Sequence, residues 1–282
     1  MKHILVLILI ILPLSAYAQT QRVLIIGDSW AQLQIDNATH NQVFSDNNFA
    51  NINIDPASDS VSDNGKTAAD WAMPSQLQII GNTIAANPAI DTVQLTIGGN
   101  DFLNNWSINL SAAQVQSLQQ QILADLTTIV DYVLAQRPEI EVLLSFYDYP
   151  NFVDTIGGLF GQTCNNLLND MGTPSVSQLN TAAVEFESIY AQIASNNPRV
   201  FHVSHTGLMQ AFFGFPSQGI PPGQIMPPGD LSKPSPVEAM RDFGVTRDCF
   251  HLSPDGYNFL IQNAFDGYYL ERFDSVYNDS FE

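Results

Sequence analysis

The sequence predicts an α/β fold in which a mostly parallel five-stranded sheet is covered by helices on both faces. Short runs rich in Val, Ile, Leu and Phe alternate along the chain with longer stretches of helical periodicity. Strands that are buried on both faces have this composition, because helices cover each side of a parallel sheet. The alternation of the two kinds of segment therefore indicates a sheet between helical layers.

The expected strands are short and apolar. They lie at 22–26, 51–54, 91–97, 140–146 and 199–204. The first runs into Gly27, Asp28 and Ser29 and then into what reads as the first turn of a helix. Because ligands of open parallel sheets bind outside the carboxyl ends of the strands, the residues that follow each strand are the first candidates for a functional site.

Four longer segments have the periodicity of amphipathic helices. They lie at about 75–86, 111–136, 176–196 and 254–272. Ser111 opens the second of them, which stops before Pro138. Ser253 and Pro254 open the last one as a capping serine followed by proline at the first helical position.

Two irregular segments interrupt the alternation, at about 150–175 and 205–247. The second is dense in Pro and Gly and also contains Phe212, Phe213 and Phe215. A disordered linker is one interpretation, but the aromatic residues favour an ordered loop that walls a site. We expect one domain over residues 19–282 that carries both segments as insertions.

The N-terminus has the composition of a signal peptide. A basic start is followed by an apolar run from Ile4 to Pro13 and by small residues at Ala16 and Ala18. The run is shorter than the roughly 20 residues that a membrane-spanning helix needs, which argues against a stable membrane anchor. We expect cleavage after Ala18 and export to the periplasm or the cell exterior.

The charge of the chain limits its partners. The full chain has a formal net charge of −19, and loss of residues 1–18 leaves eight basic residues against 28 acidic ones, a net charge of −20. Such a chain should not bind nucleic acid or an anionic bilayer through charge. Hydrophobic residues make up 45% of the chain, which indicates a globular protein and not an acidic disordered tail.

Residues with the chemistry of acyl transfer occur at several strand ends. Ser29 can act as the nucleophile, His251 as the base, and Asp248, three residues earlier, can orient the imidazole. Three donors could form an oxyanion hole: the backbone N–H groups of Ser29 and Gly65 and the side-chain amide of Asn100. Taken singly, each residue also fits an ordinary turn or cap, and their joint occurrence in this order favours the catalytic interpretation.

Two other histidines compete for the role of the base. His202 lies in an apolar strand and is expected to be a hydrogen-bonded histidine in or near the core. His205 lies at the end of the same strand and could touch substrate. His251 is preferred because only it has an acid at the spacing of one turn and a capped helix behind it.

These motifs resemble those of the SGNH hydrolases of the GDSL esterase and lipase family. The four matching blocks are Gly27-Asp28-Ser29, Gly65, Gly98-Gly99-Asn100-Asp101 and Asp248-Cys249-Phe250-His251. The resemblance implies a three-layer, flavodoxin-like fold, a Ser29–His251–Asp248 triad and an oxyanion hole from Ser29, Gly65 and Asn100. It implies neither a metal nor a cofactor. Asp28 is then not the triad acid, and we expect it to brace the loop around Ser29.

The resemblance implies an ester hydrolase, and the N-terminal segment predicts that it is exported. The substrate stays open among small-molecule, lipid and acylated-saccharide esters. Two alternatives remain: an acyltransferase with the same triad, and a catalytically silent binding module with the same fold. The oligomeric state is not predicted.

Cys164 and Cys249 are the only cysteines of the chain. In an exported protein we expect them to pair, although two buried free thiols are the alternative.

Overall fold

The sheet of the protein has five parallel strands in the order β2-β1-β3-β4-β5. The computed structural model describes residues 19–156 and 161–279. The strands are β1 (Thr20–Gly27), β2 (Ile52–Ile54), β3 (Thr92–Thr96), β4 (Glu141–Ser145) and β5 (Val200–Val203). The predicted α/β fold is confirmed, whereas the expected signal peptide, residues 1–18, lies outside the described residues.

The strand order creates a switch point between β1 and β3. The chain leaves β1 toward β2 on one side, and β3 returns to pair with β1 on the other. The register joins Gly27 to Thr96, so both strands end at the same level of the sheet. A crevice at such a point is where parallel α/β sheets bind ligands.

Helices pack on both faces of this sheet. They are α1 (Ser29–Asp36), α2 (Thr39–Asp46), α3 (Ala68–Trp71), α4 (Pro74–Ala86), α5 (Gly99–Asn105), α6 (Ala112–Leu134), α7 (Gln162–Asp170), α8 (Val176–Ser195), α9 (Leu208–Phe213), α10 (Pro254–Ala264) and α11 (Leu270–Asp279). The predicted helices at 75–86, 111–136 and 176–196 correspond to α4, α6 and α8. The long helices α6 and α8 each begin with a capping box, which the capping serines Ser111 and Ser175 supply.

The last predicted helix, 254–272, is longer and less regular than expected. A π-helical turn, Phe265–Tyr269, separates α10 from α11, and α11 continues to Asp279. The turn brings the rings of Phe265 and Tyr269 into the core, where both pack near the buried ring of Phe44. The irregular turn is therefore part of the aromatic core.

A small antiparallel hairpin lies apart from the main sheet. Its strands are β6 (Met240–Asp242) and β7 (Arg247–Leu252). Asp248 and His251 were expected in a turn before a helix, but both lie on β7. Neither strand carries the run of apolar residues by which the strands of the main sheet were predicted: the sequence of β6 is Met-Arg-Asp, and β7 begins with Arg-Asp.

The two irregular segments are built differently. The stretch at 150–175 carries α7, and the stretch at 205–247 carries α9, short 3₁₀-helices and β6. Gln210 of α9 is fully buried and hydrogen-bonded to the second stretch. Its amide nitrogen donates to the carbonyl of Lys233 at 2.7 Å, and its amide oxygen accepts from the N–H of Asp230 at 2.7 Å. The Pro-rich segment is thus hydrogen-bonded to the helix that precedes it.

One continuous apolar core joins the sheet to its helices. Val23, Leu24, Ile25 and Ile26 of β1 are all fully buried, which agrees with a strand covered on both faces. Within 19–156 and 161–279, no helix has both the length and the apolar character required to cross a membrane.

Candidate active site

The turn between β1 and α1 forms one side of the candidate site. Gly27 ends β1, and a Cβ at this position would lie 2.0 Å from the carbonyl oxygen of Thr96 on β3, so only glycine allows the two strands to approach this closely. Asp28 caps α1 by accepting a hydrogen bond from the N–H of Trp30 at 3.0 Å. Ser29 is the first helical residue, and its N–H therefore has no acceptor within the helix.

Ser29, His251 and Asp248 form a continuous hydrogen-bonded chain. Ser29 Oγ lies 2.7 Å from His251 Nε2, and His251 Nδ1 lies 2.7 Å from Asp248 Oδ2. The serine comes from the β1–α1 turn and the other two residues from β7. The structure therefore brings together residues that are 222 positions apart in the sequence.

Asp248 is held so that one oxygen faces the imidazole. Its other oxygen, Oδ1, accepts from the N–H groups of Phe250 at 3.0 Å and of His251 at 3.1 Å. Burial raises the pKa of this carboxyl, but the hydrogen bond and charge of His251 and the two N–H donors outweigh burial and lower the pKa below its usual range. Asp248 is therefore ionised at neutral pH and suited to orient the ring.

Two of the expected oxyanion donors, Asn100 and Gly65, belong to segments that are hydrogen-bonded to each other. Asn100 is in the first turn of α5, and its Nδ2 donates to the carbonyl of Lys66 at 2.9 Å. A side-chain amide has two hydrogens, so one remains for a ligand. Gly65, one residue before Lys66, is exposed and has φ +78°, and no atom lies within 4 Å of a Cβ built on it. Its role as a donor stays a prediction.

Two side chains to which the sequence analysis assigned no role hold the segment that follows Gly65. Asp101 Oδ2 accepts from the N–H of Ala68 at 2.8 Å, at the start of α3. Trp71 Nε1 donates to the carbonyl of Gly27 at 2.9 Å. Burial raises the pKa of Asp101 to about 6. The sequence signal for Asp101 was its place in the block Gly98-Gly99-Asn100-Asp101.

Asp28 holds the turn that carries Ser29, as expected. One of its hydrogen-bond partners was not predicted. Tyr147, which follows β4, donates its hydroxyl hydrogen to Asp28 Oδ2. The Tyr147 ring stacks on Trp30, with 4.3 Å between the ring centroids. Nothing in the sequence around Tyr147 marked it, because the contact joins residues 119 positions apart.

His202 and His205 lie away from Ser29 and against other groups. His205 Nε2 is 3.0 Å from Ser145 Oγ, and both residues are only 1% exposed. Burial lowers the pKa of His205 to about 3, so the ring is neutral. His202 is bonded to the carbonyl of Leu144 and lies 3.5 Å from the carboxylate of Glu187. In the described part of the chain, neither histidine has a hydrogen bond or a ring contact with residues 27–30.

Cys164 on α7 and Cys249 on β7 lie at bonding distance, with their sulfur atoms 2.09 Å apart. The carbonyl of Cys249 also accepts from the N–H of Asn151 at 2.7 Å. Both contacts tie the segment after β4 to the strand that carries Asp248 and His251. Among the described residues, Cys164, Asp248 and Cys249 are near enough to share a metal ion, but their atoms are already engaged with each other and with His251.

The chain belongs to the GDSL-like lipase/acylhydrolase family, whose profile matches residues 23–264. This membership indicates a hydrolase that acts on esters. A comparison with curated proteins gave no match.

Solved structures share the fold at low sequence identity. A Streptococcus pneumonia protein whose name links it to platelet activating factor has a TM-score of 0.55 and 16% identity, covering 90% of this chain and 86% of its own. A lipase from a goat rumen metagenome has a TM-score of 0.50 and 10% identity, covering 89% and 98%. A Bacteroides fragilis protein whose name links it to acylhydrolases has a TM-score of 0.50 and 15% identity, covering 89% and 91%.

Proposed function

We propose that this chain is an exported carboxylic ester hydrolase that forms an acyl-enzyme on Ser29. The observation that carries the proposal is the pair of 2.7 Å contacts that link Ser29 to His251 and His251 to Asp248. A serine, a base within hydrogen-bond reach and a carboxylate that orients the base are the arrangement that serine nucleophiles require. The family membership supports an ester as the substrate.

In the first half of the reaction, Ser29 Oγ attacks the carbonyl carbon of the ester while His251 Nε2 takes the hydroxyl proton. Asp248 holds the proton on Nδ1 and stabilises the imidazolium that forms. The N–H groups of Ser29 and Gly65 and the amide of Asn100 donate to the oxygen that becomes negative. His251 then gives its proton to the departing alcohol.

In the second half, water attacks the acyl-enzyme. His251 removes a proton from the water, the oxyanion forms again at the same donors, and Ser29 takes the proton back as the carboxylic acid leaves. The imidazole must be neutral at the start of both halves. His251 therefore acts in each half first as a base and then as an acid.

Export is the second part of the proposal. Residues 1–18 have the composition of a signal peptide. The position of Cys164 and Cys249 at bonding distance fits a protein that matures in an oxidising compartment. We expect the exported protein to begin at Gln19, which N-terminal sequencing of protein recovered outside the cytoplasm tests.

The catalytic proposal is tested by ester turnover in two serine variants. Ser29 and Ser145 each lie within hydrogen-bond distance of a histidine, but Ser145 is buried beside His205. We expect Ser29→Ala to abolish p-nitrophenyl ester hydrolysis without a change in the melting curve, and Ser145→Ala to retain it. Activity near the wild-type level in Ser29→Ala would contradict the proposal.

A further inference from the structure

Asn151 lies outside the proposed triad and oxyanion donors but is bonded to the strand that carries two of the triad residues. It follows β4 and is completely buried. Its backbone N–H donates to the carbonyl oxygen of Cys249 at 2.7 Å. Cys249 stands on β7 between Asp248 and Phe250. A contact from the stretch after β4 therefore reaches the backbone beside the proposed triad acid.

The carbonyl that Asn151 binds belongs to the same trans peptide unit as the N–H of Phe250. That N–H donates to Asp248 Oδ1 at 3.0 Å. The C=O and N–H of a trans peptide unit lie in one plane and point in opposite directions. Rotation of this unit would weaken both hydrogen bonds, so the Asn151 N–H also holds the N–H that Asp248 accepts.

The hairpin itself gives this part of β7 little support. Two residue pairs join its strands, Met240–Leu252 and Asp242–Arg247. The four residues at 248–251 therefore face a single residue of β6, Arg241. Such an irregularity interrupts the hydrogen-bonded ladder locally. Contacts from outside the hairpin must then hold the proposed triad acid and base.

The disulfide between Cys164 and Cys249 acts on a different part of the backbone. It joins the side chain of Cys249 to α7. The peptide unit after Cys249 can still turn about ψ, which is one of the two soft dihedrals of each residue. The Asn151 N–H limits this rotation, because it binds the carbonyl of that unit.

The side chain of Asn151 fixes the position of its own backbone. Its Oδ1 accepts from the N–H of Asp154 at 3.0 Å. Its Nδ2 donates to Asp154 Oδ2 at 2.9 Å and to the carbonyl of Ser235 at 2.8 Å, in the irregular stretch 205–247. A hydroxyl has one donor and an ionised carboxylate has none, so neither could replace all three bonds.

Building on the proposed function, we propose that Asn151 is a positioning residue of the site. Its side chain holds its backbone N–H against the carbonyl of Cys249, which fixes the orientation of the peptide unit that follows. The N–H of that unit then keeps the Asp248 carboxylate facing His251. Asn151 acts through Asp248 and is not itself a catalytic residue.

The test compares Asn151→Ala with Asn180→Ala in p-nitrophenyl ester hydrolysis. Asn180 is the matched control, because it is also completely buried and its Nδ2 donates to two carbonyls of the same irregular stretch, those of Leu231 and Lys233. It lies on α8, which supplies none of the proposed site residues. Active sites are counted by organophosphonate titration of Ser29, so kcat refers to folded, reactive protein only.

We expect Asn151→Ala to lower kcat by about 10- to 100-fold and to leave KM nearly unchanged, since displacement of a reacting group by about 1 Å can cost about 100-fold. Asn180→Ala should lower the melting temperature as much but keep the wild-type kcat. Asn151→Ser retains an acceptor for the N–H of Asp154 and should recover part of the lost kcat.

A double-mutant cycle with Asp248→Asn shows through which residue Asn151 acts. Residues that act as one unit are not additive in their effects on kcat. We therefore expect Asn151→Ala to change kcat by less than about twofold in a protein that already carries Asp248→Asn.

Three results would overturn the proposal. The first is a wild-type kcat per active site in Asn151→Ala. The second is an equal loss of kcat in Asn151→Ala and Asn180→Ala, which would indicate general loosening of the irregular stretch. The third is the full effect of Asn151→Ala in the Asp248→Asn background.

If Asn151→Ala does not fold, Asn151→Ser takes its place in each comparison, with the smaller loss of kcat expected of it. Failure of the proposed function is distinct from these results, because wild-type protein would then show neither turnover nor a label on Ser29.

Discussion

Tyr147 donates its hydroxyl hydrogen to the carboxylate of Asp28, the residue directly before the proposed nucleophile. Tyr147 follows β4 and Asp28 follows β1, so the bond connects two strands across the intervening β3. Both residues are buried, and Asp28 also caps α1. The turn that carries Ser29 thus makes a contact that involves neither the proposed triad nor the proposed oxyanion donors.

We predict that Tyr147→Phe lowers both stability and turnover. The variant keeps a ring that can stack on Trp30 but leaves Asp28 with one hydrogen bond fewer, which costs about 1–3 kcal/mol for a buried polar group. Tyr149→Phe is the control, because the Tyr149 hydroxyl donates to the carbonyl of Pro228 at 2.7 Å and does not touch Asp28. Equal kcat values in the two variants would show that Tyr147 does not position Ser29.

The second prediction concerns the pH dependence of stability. Burial raises the pKa of Asp28 to about 7, above the value near 4 of an unfolded aspartate. Between these values the unfolded state has lost a proton that the folded state keeps, so stability falls as pH rises from about 4 to 7, by up to about 1.4 kcal/mol per pH unit. Asp28→Asn should remove this contribution.

Chemical denaturation at several pH values measures this contribution of Asp28 to the free energy of unfolding. Asp101 and Asp148 contribute in the same direction, because burial raises their pKa values to about 6 and about 7. The difference in unfolding free energy between wild type and Asp28→Asn therefore isolates the contribution of Asp28. A difference that stays constant from pH 4 to pH 7 would contradict the prediction.

We predict that Asn100→Ala lowers kcat by about 100- to 1,000-fold and changes KM much less. An oxyanion donor acts mainly as charge develops in the transition state. Asn105→Ala is the control, because Asn105 is on the same helix and its amide donates only to a carbonyl one turn away. An effect on KM alone would show that Asn100 binds ground-state substrate.

The fourth prediction concerns Cys164 and Cys249. They are 85 positions apart, and a disulfide closing a loop of this length contributes roughly 4–5 kcal/mol in the chain-entropy model. We expect reduction or Cys164→Ser to lower the melting temperature and also turnover, because β7 presents His251 to Ser29. Two alkylated cysteines in native exported protein, found by intact mass without reductant, would contradict the pairing.

Much of the sheet and its long helices could be predicted from the sequence, because these elements carry a clear apolar period and strong caps such as Ser111 and Ser253. The hairpin that holds Asp248 and His251 could not, since neither of its strands carries a run of apolar residues. Tyr147 was not predicted for a different reason. Its hydrogen bond to Asp28 joins the ends of two strands that are distant in the sequence, and no local sequence pattern indicates such a contact.

The most direct test of the central claim is the site of covalent labelling by a serine-directed organophosphonate, located by peptide mass spectrometry. We predict one adduct per chain, on Ser29, with loss of esterase activity in proportion to labelling. Ser29→Ala should take up no label, and Ser145→Ala should be labelled as the wild type is. Labelling at another serine, or no labelling and no turnover in wild-type protein, would contradict the assignment, and the second result would favour a catalytically silent binding module.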